Sequence, residues 1–130
     1  MKHPVIDEIE LSGLTTLSDG TRVAIRSNVG PESGKIIQHA IKATRPHMGI
    51  EVGLGFGLST LYILDAMRLH GRGHLIGMDP AQHDATWRGG GLHNVKRAGF
   101  GNQYSFHEES SQVVLPKLAA AGSRITICLH

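Results

Sequence analysis

Three glycines at alternate positions behind an acidic residue form the most informative pattern of this sequence. Residues 51–57 read Glu-Val-Gly-Leu-Gly-Phe-Gly, and we call residues 53–57 the glycine loop. Because glycine lacks a Cβ, the backbone can turn tightly there and a ligand can lie directly against it. An apolar strand pattern precedes the loop and a helical pattern follows it. A strand that ends in such a loop and leads into a helix is the usual first unit of a nucleotide-type site in an α/β sheet.

The residues around the glycine loop favour one class of ligand over two others. A dinucleotide-binding loop needs a glycine at position 58, where this sequence has Leu58. A P-loop needs a lysine followed by serine or threonine, and the loop has no lysine. A loop without a cation and with Glu51 in front of it suits an amine-bearing ligand better than a phosphate-bearing one. An NAD-type oxidoreductase and a purely structural glycine turn are the alternatives.

A second acidic residue, Asp79, ends the next strand pattern, 22 residues after Gly57. An acidic residue at about this distance from the loop typically accepts hydrogen bonds from ribose hydroxyls. A carboxylate is a pure acceptor and can hold both hydroxyls of one ribose. Asp79 also precedes Pro80, so a role in forming a turn is the alternative.

These motifs resemble the class I S-adenosylmethionine-dependent methyltransferases. The similarity lies in the sequence Glu-Val-Gly-Leu-Gly-Phe-Gly-Leu-Ser-Thr at 51–60, in Gly-Met-Asp-Pro at 77–80, and in the segment 108–116, which ends in Leu-Pro. The resemblance covers residues 30–122. It implies a Rossmann-like α/β fold with a parallel sheet, S-adenosyl-L-methionine as cofactor, and methyl transfer to an oxygen or nitrogen of a small molecule.

The resemblance also implies roles for individual residues. Gly53, Gly55 and Gly57 would let the methionine part of the cofactor lie on the backbone. Glu51 would face the cofactor's amino group, and Asp79 would hold the ribose hydroxyls. The acceptor and the catalytic residues are not readable from this part of the pattern.

Three further positions complete the predicted cofactor-binding set. Pro80, with Ala81, would border the adenine. Ser110 stands where the family often places an aspartate that contacts the adenine amino group, and a helix N-cap is the alternative role. Ser59 belongs to the set at the start of the helix after the loop, which Ser59 or Thr60 is expected to cap.

The elements that must position these residues follow from periodicity and turn signals. We predict a hairpin or loop within residues 1–30, helices over 31–43, 59–70, 92–98 and 111–122, and strands over 48–52, 74–79, 103–107 and 124–129. Alternation of strand and helix from residue 48 predicts parallel strands with right-handed crossovers in a single domain, 1–130. Within this domain, we expect residues 31–130 to correspond to the cofactor-binding α/β half of a full methyltransferase domain.

The resemblance implies seven strands for a full domain, and this sequence supplies four. We therefore expect a sheet that is incomplete at the C-terminus, with the fourth strand as an exposed apolar edge that pairs in a homodimer. A non-catalytic cofactor-binding fragment or structural module is the alternative function.

Composition excludes several classes of protein. The formal net charge is +2 without a run of basic residues, which argues against nucleic acid as a partner. No apolar stretch has the length of a signal or a membrane span, and the single Cys128 fits a reducing compartment, so a cytoplasmic location is expected. The nine histidines lack the spacing of zinc ligands, so no metal is predicted. Trp87 is interpreted as packing on the domain surface, with a lid beside the site as the alternative.

Overall fold

A computed structural model describes residues 3–26, 28–71, 73–125 and 127–129. A short 3-10 helix at Gly101–Gln103 precedes the third strand of the larger sheet. The other elements in chain order are α1 (Pro4–Ser12), β1 (Leu14–Thr16), β2 (Arg22–Ala24), α2 (Pro31–Thr44), β3 (Met48–Val52), α3 (Leu58–Arg68), β4 (His74–Met78), α4 (Gly90–Arg97), β5 (Tyr104–His107), α5 (Ser111–Ala120) and β6 (Ile127–Leu129).

The main sheet has four parallel strands in the order β5-β4-β3-β6, and β1 and β2 form a separate antiparallel hairpin. This confirms the predicted Rossmann-like α/β class. The chain moves outward from β3 through β4 to β5 and then returns to place β6 on the other side of β3. Ligands of open α/β sheets bind at such a reversal, outside the carboxyl ends of the strands. Glu51 on β3 lies at this point, in register with Gly77 of β4 and Leu129 of β6.

Helix α3 is the centre of the larger core. Nine of its residues are buried: Leu58, Thr60, Leu61, Tyr62, Ile63, Leu64, Asp65, Ala66 and Met67. A helix that is apolar on most sides must be covered on most sides, and here the sheet lies on one side with α1 and α2 on the others. Gly34 of α2 packs on the ring of Tyr62 so closely that a Cβ would lie 2.4 Å from a ring carbon. The opposite face of the sheet packs on α5 around Val114.

The N-terminal region contains a helix that the prediction for residues 1–30 missed. Pro4 occupies the first turn of α1, the Nδ1 atom of His3 accepts a hydrogen bond from the Val5 backbone N–H at 3.1 Å, and Ile6 and Ile9 are buried. Two apolar residues at this spacing are too weak a signal for a helix of nine residues. The hairpin that follows lies within the predicted hairpin or loop region and has its turn at 18–20.

Other boundaries shift for local reasons. Helix α3 begins at Leu58 behind the N-cap residue Gly57, so the predicted caps Ser59 and Thr60 lie inside the helix. Helix α4 begins at Gly90 rather than at residue 92, and β6 is shorter than the predicted strand 124–129. Thr126 of that strand and the terminal His130 lie outside the described residues, as does position 72 after α3. No described helix is both long enough and apolar enough to cross a membrane.

Candidate ligand-binding site

A cavity of about 330 Å³ opens at the carboxyl ends of β3 and β4, beside the strand-order reversal. This volume is at the lower end of the range for small-molecule sites, which is about 300–1,000 Å³. Its described lining consists of Val29, Ile37, Glu51, Val52, Gly53, Leu54, Gly55, Ser59, Asp79, Trp87 and Leu129. The cavity is thus lined by the glycine loop, by both predicted acidic residues and by an apolar wall. This wall consists of Val29, Ile37 of α2 and Leu129 of β6.

The three glycines of the loop have different surroundings although all have positive φ, at 91°, 58° and 82° in chain order. A Cβ on Gly53 would point into open space, and one on Gly55 would lie 3.4 Å from the indole of Trp87. A Cβ on Gly57 would meet the Cα and the carbonyl oxygen of Gly91 at 3.3 Å. The first two glycines therefore shape the cavity, whereas the third lets α4 pack against the start of α3.

Asp79 is hydrogen-bonded to the glycine loop. Its Oδ2 atom accepts hydrogen bonds from the backbone N–H groups of Leu54 at 3.0 Å and Gly55 at 3.4 Å, and its Oδ1 atom accepts one from Ala81 at 2.9 Å. The side chain lines the cavity and the residue is only 9% exposed. Hydrogen bonds to a buried carboxylate are of the charge-assisted, stronger kind. Asp79 therefore fixes the shape of the loop in addition to presenting a carboxylate to the cavity.

Two buried amides hold the same loop from the side of α4. Gln82 donates from Nε2 to the carbonyl oxygen of Gly55 at 2.9 Å, and its Oε1 accepts from the Leu92 backbone N–H at 3.0 Å. Asn94 donates from Nδ2 to the carbonyl oxygen of Phe56 at 2.8 Å. Both side chains are fully buried, so these bonds are protected from water. The loop has its conformation fixed by partners on both sides before any ligand binds.

Glu51 is the second acidic group of the cavity and is 5% exposed. Its two carboxylate oxygens accept hydrogen bonds from the hydroxyls of Ser59 at 2.6 Å and Thr60 at 2.5 Å. Burial raises the pKa of Glu51 above its ordinary value, and the two hydroxyl bonds oppose part of that rise. A cationic group placed beside this carboxylate would relieve the cost of keeping it charged.

Trp87 lines the cavity, which corrects the interpretation of this residue as packing elsewhere on the domain surface. Its ring meets that of Phe56 edge to face, with centroids 5.0 Å apart and an interplanar angle of 80°. The segment that carries it is held by Asp84, whose Oδ1 accepts from the backbone N–H groups of Thr86 and Trp87, and by an ion pair between Arg88 and Asp19. The indole is thereby held against the glycine loop.

The predicted site residues divide into two groups. Glu51, Gly53, Gly55, Ser59 and Asp79 line the cavity together. The described lining does not include Gly57, Pro80 or Ser110. Pro80 is exposed, and Ser110 occupies the N-cap position of α5 without a side-chain capping bond.

Prediction from sequence did not assign the apolar wall or the amide anchors to the site. Val29, Ile37 and Leu129 come from three separate segments, so no local pattern joins them. Gln82 and Asn94 are polar residues in an irregular region, and the three successive glycines at 89–91 were the one local sign that something packs closely there. A Cβ on Gly91 would lie 2.4 Å from the Gly55 carbonyl oxygen.

A buried tyrosine hydroxyl lies next to Gly77, the β4 residue in register with Glu51. A Cβ on Gly77 would be 2.0 Å from the Oη atom of Tyr104, and this buried oxygen has no hydrogen-bond partner among the described residues. Burial, and then the nearby carboxylates of Glu51 and Asp79, raise the pKa of Tyr104 well above its ordinary value. The group therefore remains a protonated donor at neutral pH.

Comparison with solved structures places this arrangement in one structural class. An O-methyltransferase from Bacillus cereus, solved in complex with SAH, shares 15% identity at a TM-score of 0.68, over 92% of this chain and 50% of that chain. The SAH-bound methyltransferase PaMTH1 of Podospora anserina shares 15% identity at a TM-score of 0.69, over 88% and 45%. The O-methyltransferase TomG of Streptomyces achromogenes, in complex with SAM, shares 15% identity at 0.65, over 91% and 48%. These matches establish a methyltransferase-type Rossmann-like fold, and the chain spans about half the length of these structures.

The family follows from the sequence itself. Residues 50–129 match the family model described as a methyltransferase domain, so the chain belongs to that family. No curated protein matches the sequence significantly.

Proposed function

We propose that this chain binds S-adenosyl-L-methionine and is part of a methyltransferase that acts on an oxygen or nitrogen of a small molecule. The observation that carries the proposal is the cavity in which Glu51 and Asp79 flank the open glycine loop. Two findings support the proposal: the chain belongs to the methyltransferase-domain family, and the similar solved structures named above were solved with SAM or SAH bound.

The donor set of the cavity fits the parts of this cofactor. Glu51 is buried and acidic, and it suits the ammonium of the methionine part. Gly53 leaves open space where a side chain would block an approaching ligand. Asp79 accepts three hydrogen bonds from backbone N–H groups at 2.9–3.4 Å. A carboxylate has about four acceptor sites, so capacity remains on Oδ1 for a ribose hydroxyl. The apolar wall of Val29, Ile37 and Leu129 covers uncharged ligand surface.

The cofactor supplies a methyl group on a sulfonium, which already carries its leaving group. The protein therefore has to contribute position and complementary charge rather than an activated nucleophile. In this chain the carboxylate of Asp79 accepts hydrogen bonds from the glycine loop, and the amides of Gln82 and Asn94 donate to it, so that the loop is fixed. Glu51 and Asp79 supply the negative charge. A hydroxyl acceptor needs a base near it, and we assign no residue of this chain to that role.

The charge of Glu51 disfavours the NAD-type alternative. Glu51 and Asp79 are the charged groups among the described lining residues, and both are acidic. An acidic residue at the place of Asp79 suits the ribose of either cofactor. A pyrophosphate lying on the loop beside Glu51 is repelled by its carboxylate, since like charges in a partly buried site interact strongly. The described lining contains no arginine, lysine or histidine to offset this.

Calorimetric titration of the purified chain with S-adenosylmethionine, S-adenosylhomocysteine and NAD tests the proposal. We expect both sulfur compounds to bind and NAD to give no heat of binding. The single tryptophan of the chain lines the cavity, so its fluorescence gives an independent signal in the same titrations. Binding of NAD without a response to the two sulfur compounds would overturn the proposed cofactor.

Catalytic competence is a separate question, because a cofactor-binding module without activity is the second candidate. Transfer of a labelled methyl group to small phenols and amines distinguishes the two. Binding of S-adenosylmethionine without transfer to any acceptor, in the chain and in a longer protein that contains it, would favour the module. Our prediction of a homodimer through the β6 edge is tested by sedimentation, and a monomer at high micromolar concentration contradicts it.

A further inference from the structure

Trp87 places an aromatic surface beside the middle of the glycine loop. Three consecutive atoms of its six-membered ring, Cζ3, Cη2 and Cε3, lie 3.4, 3.5 and 3.7 Å from the position of a Cβ on Gly55. The residue is half-buried and lines the cavity. Its contact with Phe56 and the hydrogen bonds of Asp84 hold it there, so the indole forms part of the cavity wall.

The order of atoms in the proposed ligand determines which of its groups comes near this wall. The sulfur is bonded on one side to the amino-acid chain and on the other to the ribose. With the ammonium at Glu51 and the ribose at Asp79, the sulfur must lie between these residues, over the loop segment from Gly53 to Gly55. Trp87 is the aromatic residue of the described lining at that segment.

We propose that Trp87 is a charge-sensing specificity residue that distinguishes the sulfonium of S-adenosylmethionine from the neutral thioether of S-adenosylhomocysteine. The inference rests on the proposed function. An indole attracts a cation through its π system, and tryptophan does so best among the aromatic side chains. A thioether carries no charge and loses this attraction, although it keeps the packing contact.

The consequence concerns ligand exchange after the reaction. When the acceptor's oxygen or nitrogen forms its bond to the methyl carbon, the S–CH₃ bond breaks and its electron pair stays on sulfur, so the positive charge at sulfur disappears. The acceptor releases its proton to a base. The product then loses its attraction to Trp87 while the amino-acid and ribose contacts remain. Trp87 thereby raises the affinity for S-adenosylmethionine relative to that for S-adenosylhomocysteine, which limits inhibition by the product.

Calorimetric titration of the wild type and of Trp87→Phe and Trp87→Leu with three ligands tests this. The ligands are S-adenosylmethionine, S-adenosylhomocysteine, and sinefungin, whose amine carries positive charge near the place of the sulfonium. For Trp87→Leu we expect the affinity for the two cationic ligands to fall by about 3- to 30-fold more than the affinity for the thioether. Trp87→Phe should retain part of the difference because a smaller aromatic ring remains.

Ile37→Ala is the matched control, because Ile37 lines the same cavity with an aliphatic side chain that has no π system. It should lower the affinity for all three ligands by a similar factor. Equal losses for all three ligands in Trp87→Leu would overturn charge sensing while leaving the proposed cofactor intact. Failure of the wild type to bind any of the three would instead remove the proposed function and this inference with it.

Discussion

The Oδ2 atom of Asp79 accepts a hydrogen bond from the Leu54 backbone N–H at 3.0 Å, which couples the end of β4 directly to the glycine loop after β3. The two residues are 25 positions apart in the chain. Through this bond the acidic residue that lines the cavity also determines the path of the backbone on which a ligand would lie. The Asp79 side chain therefore contributes both to the shape of the loop and to the negative charge of the site.

Replacement of Asp79 should for this reason reduce both stability and ligand binding. Asp79→Ala leaves the N–H groups of Leu54, Gly55 and Ala81 without their acceptor, and we expect a loss of about 1–3 kcal/mol in the free energy of unfolding. Affinity for S-adenosylhomocysteine should fall at least about tenfold from the lost charge-assisted bonds. Urea unfolding and calorimetry measure the two effects.

The conservative variant Asp79→Asn separates the two roles. It keeps one oxygen that can accept from the loop but has no charge, so stability should fall less than in Asp79→Ala. An unchanged ligand affinity in both variants would exclude Asp79 from the site.

Local patterns predicted the framework of this fold well. The apolar segment of β3 and the glycine loop after it lie within ten consecutive residues, so a local pattern was enough to predict both. The alternation of strand and helix after residue 48 correctly predicted a parallel sheet. Glu51 was found because it stands in front of the glycine loop, and Asp79 because it ends the next predicted strand. The carboxyl ends of parallel strands meet at one edge, which brings the two together.

Contacts between distant segments were not predictable in the same way. Ser59 and Thr60 have the residue types of helix caps, yet their hydroxyls donate to the Glu51 carboxylate, which a capping pattern cannot reveal. The proximity of Gly57 to Gly91, and of Gly55 to Trp87, arises only once α4 packs against the loop. Tertiary contacts thus decide which residues of a motif face a ligand and which serve packing.

The distinction between the loop glycines leads to a second prediction. Gly53→Ala introduces a Cβ at a φ of 91° into open cavity space, so it should cost about 1 kcal/mol of backbone strain and also obstruct the ligand. Gly99→Ala is a matched control, because Gly99 has a φ of 86°, open surroundings and a position after α4 outside the cavity lining. Both variants should lose similar stability in urea, whereas only Gly53→Ala should lose affinity for S-adenosylhomocysteine. Equal ligand affinity of the two variants would contradict the placement of the ligand on Gly53.

A third prediction concerns the pH dependence of stability through Glu51. Since burial raises the pKa of this carboxyl in the folded state, the folded protein keeps a proton that the unfolded chain releases near the ordinary value of 4.5. The folded state consequently loses stability relative to the unfolded state as the pH rises from 4.5 through the folded-state pKa. Glu51→Gln has no such group, so its stability relative to the wild type should increase as the pH rises over this window.

Urea unfolding at a series of pH values from about 4 to about 8 measures this difference. Glu32→Gln, on the exposed first turn of α2 and outside the described cavity lining, is the control for removal of a surface carboxylate. A constant difference between Glu51→Gln and the wild type across the series would show that burial does not shift this carboxyl. In the same variant, affinity for S-adenosylmethionine should fall because the partner of its ammonium has lost its charge.

The two tyrosines of the chain provide a fourth prediction, in which removal of the same atom has different effects on stability. The Tyr62 hydroxyl donates to the Oε2 atom of Glu10 at 2.6 Å, whereas the buried Tyr104 hydroxyl has no partner among the described residues. A satisfied hydrogen bond contributes about 0.5–1.5 kcal/mol net, and an unsatisfied buried polar group costs about 1–3 kcal/mol. Tyr62→Phe should therefore lower the free energy of unfolding, and Tyr104→Phe should leave it unchanged or raise it, as measured by urea unfolding of both variants side by side.

A loss of stability in Tyr104→Phe equal to that in Tyr62→Phe would mean that the Tyr104 hydroxyl has an acceptor in solution. The carboxylates of Glu51 and Asp79, whose charge raises the pKa of Tyr104, are the first groups to test for that role.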